Sequence, residues 1–88
     1  MIEEKFKIVY SQGLQARPAT KLVSKANSFQ AEMYMEYNDR KVNLKSIMGV
    51  LSLGVPANSK VKISVSGSDE DDAFKAISRI ITEINEMV

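Results

Sequence analysis

The chain has 88 residues, 44% of them hydrophobic and 26% charged, a composition typical of one small globular domain. Twelve Lys and Arg side chains against eleven Asp and Glu give a net charge of +1, which does not favour non-specific nucleic-acid binding. The chain contains no Cys and no His, which excludes disulfides, thiol catalysis, Ser–His catalysis and phosphoryl transfer through histidine.

Two periodicities divide the chain into seven elements. Strands are predicted where apolar and polar side chains alternate, most clearly at Val61, Ile63 and Val65. Helices are predicted where apolar residues recur three and four positions apart. In chain order, the predicted elements are a strand over residues 5–10, a helix over 16–27, strands over 30–37 and 40–44, a short helix over 46–53, a strand over 60–66 and a helix over 69–87.

The order of these elements predicts the fold. Strands with one apolar and one polar face form an antiparallel sheet that is covered on one side only, and the cover must be helical. We therefore expect an α+β fold of order βαββαβα. It is an open-faced β-sandwich in which a four-stranded antiparallel sheet carries three helices on one face, and it forms a single domain over residues 1–88.

Polar residues mark the ends of several elements. Asn38 and Asp39 are turn formers between the second and third strands. Ser68, with Asp71 three residues later, predicts a capping box at the last helix. The acidic run over residues 69–72 suits the positive end of that helix, and no spaced ligand loop surrounds it. We expect neither a metal nor a cofactor.

The chain shows no sign of a membrane span or a secretion signal. No apolar run approaches the roughly 18 residues that cross a bilayer. The N-terminal stretch MIEEKFKIVY carries acidic residues where a signal peptide carries positive charge followed by a long apolar segment. We expect a cytoplasmic protein.

The first candidate site is the start of the helix over residues 16–27. Gln15, Ala16 and Arg17 precede Pro18, which is compatible with a first helical turn. Free backbone N–H groups, the helix dipole and a guanidinium together form a site that suits an anion. The alternative is that Gln15 is a mediocre cap and Arg17 a solvated surface charge.

The second candidate site is the start of the short helix. Ser46 falls at its N-cap, where the hydroxyl accepts a backbone N–H, and phosphorylation there is the functional alternative, beside Lys45. Apolar residues occupy nearly every face of this helix, so Ile47, Met48 or Leu51 is expected to face solvent as a surface for a partner. A tilted helix that buries all but one of them is the other interpretation.

Two motifs carry a resemblance to a known family. GLQARPAT and, about thirty residues later, VNLKSIMGVLSLG resemble the HPr phosphocarrier family of the bacterial sugar phosphotransferase system. The resemblance covers the whole chain. The family's usual first motif is GLHARPA, whose His carries the phosphoryl group, and Gln15 stands at that position here. An amide is not a usable nucleophile, so phosphotransfer through position 15 is not expected.

The resemblance also implies a regulatory role. Ser46 matches the substrate residue of the ATP-dependent HPr kinase/phosphorylase of Firmicutes, and Gln15 with a retained Ser46 resembles the catabolite-repression (Crh) branch of the family in bacilli. The phosphorylated form of that branch is a corepressor of the catabolite control protein, a LacI-type repressor. The implied phosphate and partner contacts are Arg17, Lys45, Ile47, Met48 and Leu51.

Other interpretations remain open at this point. The chain is either a non-enzymatic regulator of this kind, a phosphocarrier whose His has been replaced, or a protein whose unphosphorylated form binds a metabolic enzyme. The resemblance also leaves open a homodimer formed by exchange of the first strand, since a Gly-containing loop follows that strand.

Overall fold

The computed structural model describes residues 1–87 and confirms the expected order of elements. The four strands form one antiparallel sheet in the order β1-β4-β2-β3, with the helices on one face. The α+β fold class is therefore confirmed. The elements are β1 (Ile2–Ile8), α1 (Ala16–Ala26), β2 (Glu32–Tyr37), β3 (Arg40–Asn43), α2 (Ile47–Ser52), β4 (Ser59–Ser66) and α3 (Glu70–Asn85).

The core lies between the sheet and the helices. Val65 of β4 pairs with Ile2 of β1 on one side and with Met33 of β2 on the other, and Ile63 lies opposite Met35. Alternate residues of these strands point towards the helices and are buried. Helix residues that complete the core are Ala19, Leu22, Val23, Ala26, Val50, Ala73, Ile77, Ile80, Ile81 and Ile84.

The first strand differs from its predicted bounds. It begins at Ile2 and ends at Ile8, rather than covering residues 5–10. The reason is its partner, because β4 pairs Ile2 with Val65 at one end and Ile8 with Ser59 at the other. Tyr10 lies beyond the strand in a turn.

The predicted capping box at α3 is wrong. The N-cap is Asp69 and makes no side-chain cap bond. Its carboxylate instead accepts the backbone N–H groups of Gln30 and Ala31, both at 2.9 Å. The bond from Gln30, with the others, holds the pKa of Asp69 below its ordinary value. Asp69 therefore ties the start of α3 to the segment before β2, and Ser68 and Asp71 do not pair.

The described part of the chain contains neither a candidate membrane helix nor a candidate metal-binding cluster. None of the helices within residues 1–87 has the length and apolar character that a bilayer crossing requires. Within the same residues, no group of three or more carboxylates is placed to hold a metal ion.

Candidate functional site

A tight loop delivers Gln15 to the start of α1. Gly13 adopts φ +65° and donates its N–H to the carbonyl of Tyr10 at 2.9 Å. Leu14 donates to the carbonyl oxygen of Val55 at 3.0 Å, and a Cβ on Gly13 would collide with that same oxygen. Only glycine meets both demands, so the loop is fixed against the segment that follows α2.

The start of α1 presents open backbone donors. Gln15 is the N-cap with extended backbone, its side chain makes no cap bond, and its carbonyl accepts the N–H of Ala19 at 2.9 Å. Pro18 has no N–H. Within residues 1–87, the N–H groups of Ala16 and Arg17 have no acceptor, and the Arg17 guanidinium is exposed and without an ion pair. The position combines helix-terminal donors with an exposed positive charge, and the Gln15 side chain makes no cap bond.

Ser46 caps α2, as predicted. Its hydroxyl oxygen accepts the N–H of Gly49 at 3.0 Å, and its carbonyl accepts the N–H of Val50 at 3.0 Å. A Cβ on Gly49 would lie 3.3 Å from both the Ser46 hydroxyl and Cβ of Val42. The absence of a side chain at Gly49 therefore leaves space beside a half-buried hydroxyl that already accepts a hydrogen bond.

Lys45 is already engaged within the molecule. Its ammonium donates to the carbonyl of Phe29 at 2.7 Å, and its backbone N–H donates to the side chain of Asn43 at 2.8 Å. Its carbonyl accepts from the side-chain amide of Asn27 at 3.1 Å. The Lys45 ammonium has three N–H donors, and one of them is thus engaged within the molecule.

The apolar residues of α2 divide into an exposed pair and a buried pair. Met48 is 76% exposed and Leu51 is 39% exposed, whereas Ile47 is partly buried against the core and Val50 is fully buried. The prediction that this helix cannot bury all its apolar residues is confirmed. Met48 and Leu51 form the exposed surface, and Ile47 packs against the core.

A groove lies between the first candidate site and the C-terminal end of α2. It has a volume of about 280 Å³ and lies between the loop before α1 and the end of α2. Gln15 lines one side and Leu51 the other, whereas Ser46, Lys45 and Arg17 do not line it. The structure thus brings the first helix start and one of the two exposed apolar residues to a common groove.

Sequence reasoning missed Arg40 as a support of α2. Its guanidinium donates to the carbonyl of Ser52 at 2.9 Å and approaches the Ser52 hydroxyl at 3.4 Å. The hydroxyl in turn donates to the carbonyl of Gly49 at 2.6 Å. A cation at a helix C-terminus satisfies its free carbonyls and stabilises its negative end. The sequence offers only a basic residue after a turn as a signal.

Comparison with known proteins identifies a family. The chain matches the family described as "PTS HPr component phosphorylation site" over residues 2–83. It is similar to HPr-C-His from Thermoanaerobacter tengcongensis, with 40% sequence identity, coverage of 100% of this chain and 99% of the other, and a TM-score of 0.94.

Two further crystal structures represent both branches of that family. The phosphocarrier protein HPr from Bacillus anthracis is 37% identical, over 90% of this chain and 94% of the other, with a TM-score of 0.84. Crh, the Bacillus subtilis catabolite repression protein, is 37% identical, over 96% of this chain and 97% of the other, with a TM-score of 0.74. The Crh crystal structure is a dimer with a swapped domain.

Proposed function

The chain belongs to the HPr family of phosphocarrier proteins, and we propose that it is a regulatory member that acts in carbon catabolite repression. HPr kinase/phosphorylase phosphorylates Ser46, and the phosphorylated form binds the LacI-type catabolite control protein as its corepressor. One observation carries this proposal: a half-buried, capping Ser46 lies beside the exposed Met48, while position 15 holds an amide.

Gln15 removes the chemistry of phosphate transfer but leaves the binding geometry. An imidazole nitrogen has a free lone pair that attacks phosphorus, whereas the Gln nitrogen lone pair is delocalised into its carbonyl. No basic form of the amide exists near neutral pH. The open N–H groups and Arg17 can still hold an anion, and in the proposed function they serve the phosphate on Ser46 or the partner that reads it.

Phosphorylation of Ser46 is compatible with the intact helix. The hydroxyl oxygen bonds to the γ-phosphorus of ATP, its proton leaves, and ADP departs. A phosphate oxygen can then accept the N–H of Gly49 in place of the hydroxyl oxygen, and its charge of about −1.5 to −2 sits at the positive end of α2. The modification therefore adds charge to the surface without unfolding α2.

The docking surface combines that charge with apolar contact. Met48 is unbranched and polarisable, and such side chains adapt to a partner's shape. Leu51 continues the apolar surface towards the groove that Gln15 lines. A partner that contacts Met48 and Leu51 gains affinity from buried apolar area, while the phosphate supplies one to three charge-assisted hydrogen bonds.

The decisive experiment is phosphorylation with HPr kinase and ATP. We expect one phosphate on the wild type, none on Ser46→Ala, and one on Ser52→Ala, which removes a hydroxyl from the other end of the same helix. The phosphorylated protein should then bind the repressor at least about tenfold more tightly than the unmodified protein. Equal labelling of Ser46→Ala, or equal repressor binding by both forms, contradicts the proposal.

Two alternatives have their own tests. A phosphocarrier would accept label from phosphoenolpyruvate through enzyme I, so label at position 15 would exclude a purely regulatory role. A protein that acts unphosphorylated on a metabolic enzyme would retain that enzyme in pull-downs before kinase treatment and lose it afterwards.

A further inference from the structure

The sheet face opposite the helices carries a block of four lysines. On the paired strands β1 and β4, Lys5 lies directly opposite Lys62, and Lys7 lies directly opposite Lys60. Val61 and Ile63, which flank Lys62 on β4, are buried on the helix side, so the lysines point away from the helices. The lysine block is defined as Lys5, Lys7, Lys60 and Lys62.

This arrangement is electrostatically unfavourable in the free protein. Directly opposite residues of an antiparallel pair have Cβ atoms about 4.5–5.5 Å apart, and like charges at that separation destabilise the pair. Lys62 is partly compensated, because its ammonium lies 3.5 Å from a carboxylate oxygen of Glu36. Within residues 1–87, Lys5, Lys7 and Lys60 have no ion pair. Three positive charges are therefore available to an external anion.

A cavity lies against this block. Its volume is about 390 Å³, which falls within the range of roughly 300–1,000 Å³ typical of small-molecule sites. Lys5, Lys60 and Lys62 line one part, and the end of β2 with the turn that follows it lines the rest, so the lining also includes the carboxylates of Glu36 and Asp39. The cavity thus places concave walls beside Lys5 and Lys60, two cations that have no ion pair within residues 1–87.

The spacing of the block suits an anion with more than one charged group. Successive outward-facing residues of a strand lie about 7 Å apart, so the pair formed by Lys5 and Lys62 and the pair formed by Lys7 and Lys60 present two cationic rows. A chain of phosphate groups can contact both rows, and lysine binds phosphate as a compact, rotatable point charge. Such a ligand would also relieve the repulsion within each pair.

We propose that the lysine block and its cavity bind a small ligand that carries a chain of phosphate groups, such as an inorganic or nucleoside polyphosphate. The site lies on the sheet face opposite Ser46 and α2, and it does not depend on phosphorylation of Ser46. Tyr37 also lines the cavity but is packed against the core, so an inorganic chain and a nucleoside polyphosphate would both be held mainly through contacts between phosphate and lysine.

The test is a titration of the ¹⁵N-labelled protein, followed by NMR, with inorganic triphosphate in one arm and magnesium-free ATP in the other, at low ionic strength. We expect saturable shifts at Lys5, Lys60 and Lys62 and at residues 36–39 in both arms. Tighter binding of ATP would identify the nucleoside form as the preferred ligand, and equal binding the inorganic form. Non-saturable shifts, or shifts confined to Gln15–Arg17 and Ser46–Met48, would overturn the proposal.

Charge-matched variants separate this site from general attraction. The double variant Lys5→Gln and Lys60→Gln should weaken triphosphate binding by about two- to thirtyfold, because it removes two exposed contacts between charged groups. The control Lys75→Gln and Arg79→Gln makes the same change of net charge on α3 and should leave binding unchanged. Equal weakening in both variants would show non-specific attraction and reject the site. Circular dichroism of each variant reports that the fold is retained.

Discussion

The hydrogen bond between the Ser46 hydroxyl and the Gly49 N–H should contribute measurably to the stability of the folded protein. The change Ser46→Ala removes it and should lower the free energy of unfolding by about 1 kcal/mol, the typical loss of a serine N-cap. In a domain of this size, that loss lowers the unfolding midpoint by about 4–8 °C. The change Ser46→Asp keeps a good cap and places a negative charge at the positive end of α2, so its midpoint should equal or exceed that of the wild type.

Thermal and urea unfolding followed by circular dichroism measure this series. The matched control is Ser24→Ala at an exposed position within α1, where alanine should raise stability by about 0.5 kcal/mol or less. A Ser46→Ala variant as stable as the wild type would show that the hydroxyl does not cap α2. A Ser46→Asp variant less stable than Ser46→Ala would refute the argument that charge at this position is compatible with the helix.

Three further variants test other contacts. The pKa of Asp69 is lowered in the folded state, so the Asp69 carboxylate stabilises the fold above its ordinary pKa of about 3.9, and this stabilisation is lost as pH falls through the lower folded value. In Asp69→Asn, the free energy of unfolding should therefore fall less between neutral and acidic pH than it does in the wild type. Urea unfolding at a series of pH values measures this difference. Gly13→Ala would place a Cβ at a position of positive φ and against the carbonyl oxygen of Val55, whereas the Cβ of Gly54→Ala would also lie at positive φ but in open space. Gly13→Ala should therefore lower the free energy of unfolding more than Gly54→Ala does. Equal losses would contradict this geometry. Lys5→Gln should raise stability by about 0.2–1 kcal/mol at low salt and by less at high salt, with Lys75→Gln unaffected; a loss of stability would show that the cross-strand lysines do not repel.

Local periodicity was sufficient to predict the elements and the buried faces. The alternation of Val61, Ile63 and Val65 identified β4 and its inward side, and all three are buried. The helical spacing of Ile77, Ile81 and Ile84 did the same for α3. Those signals are local because the side-chain direction of a residue follows from the element that contains it.

The bonds between elements could not be predicted in this way. Asp69 accepts N–H groups 38 and 39 residues earlier in the chain, and the side chain of Asn85 accepts from Val9 and donates to Lys7, across separations of 76 and 78 residues. Each bond depends on how elements assemble, and the acidic and amide residue types alone do not specify a partner. The same limit explains why Ser68 was predicted to cap α3.

The second helix shows which of its features the local sequence predicts and which depend on the assembled fold. Its composition alone indicated that some apolar residue must face solvent, because a helix of six residues cannot turn four apolar side chains to one sheet. Which one faces solvent depends on the angle at which the helix docks. That angle is held at its C-terminus by Arg40, whose bond to Ser52 brings together residues twelve positions apart. Sequence therefore predicted the existence of the surface, and the structure assigned it to Met48 and Leu51.

The two proposed binding surfaces lie on opposite sides of the sheet, which bears on how they interact. Ser46 and Met48 belong to the helical layer, whereas Lys5 and Lys62 point away from it. A Debye length of about 8 Å at physiological salt screens exposed charges across such a layer. A ligand on the lysine block should therefore alter repressor binding by the Ser46-phosphorylated protein by less than about twofold, and linkage requires the same factor in reverse. Saturating triphosphate during a repressor titration measures this factor. A larger coupling would mean that the sheet itself shifts between two arrangements, because screened charge alone cannot carry it.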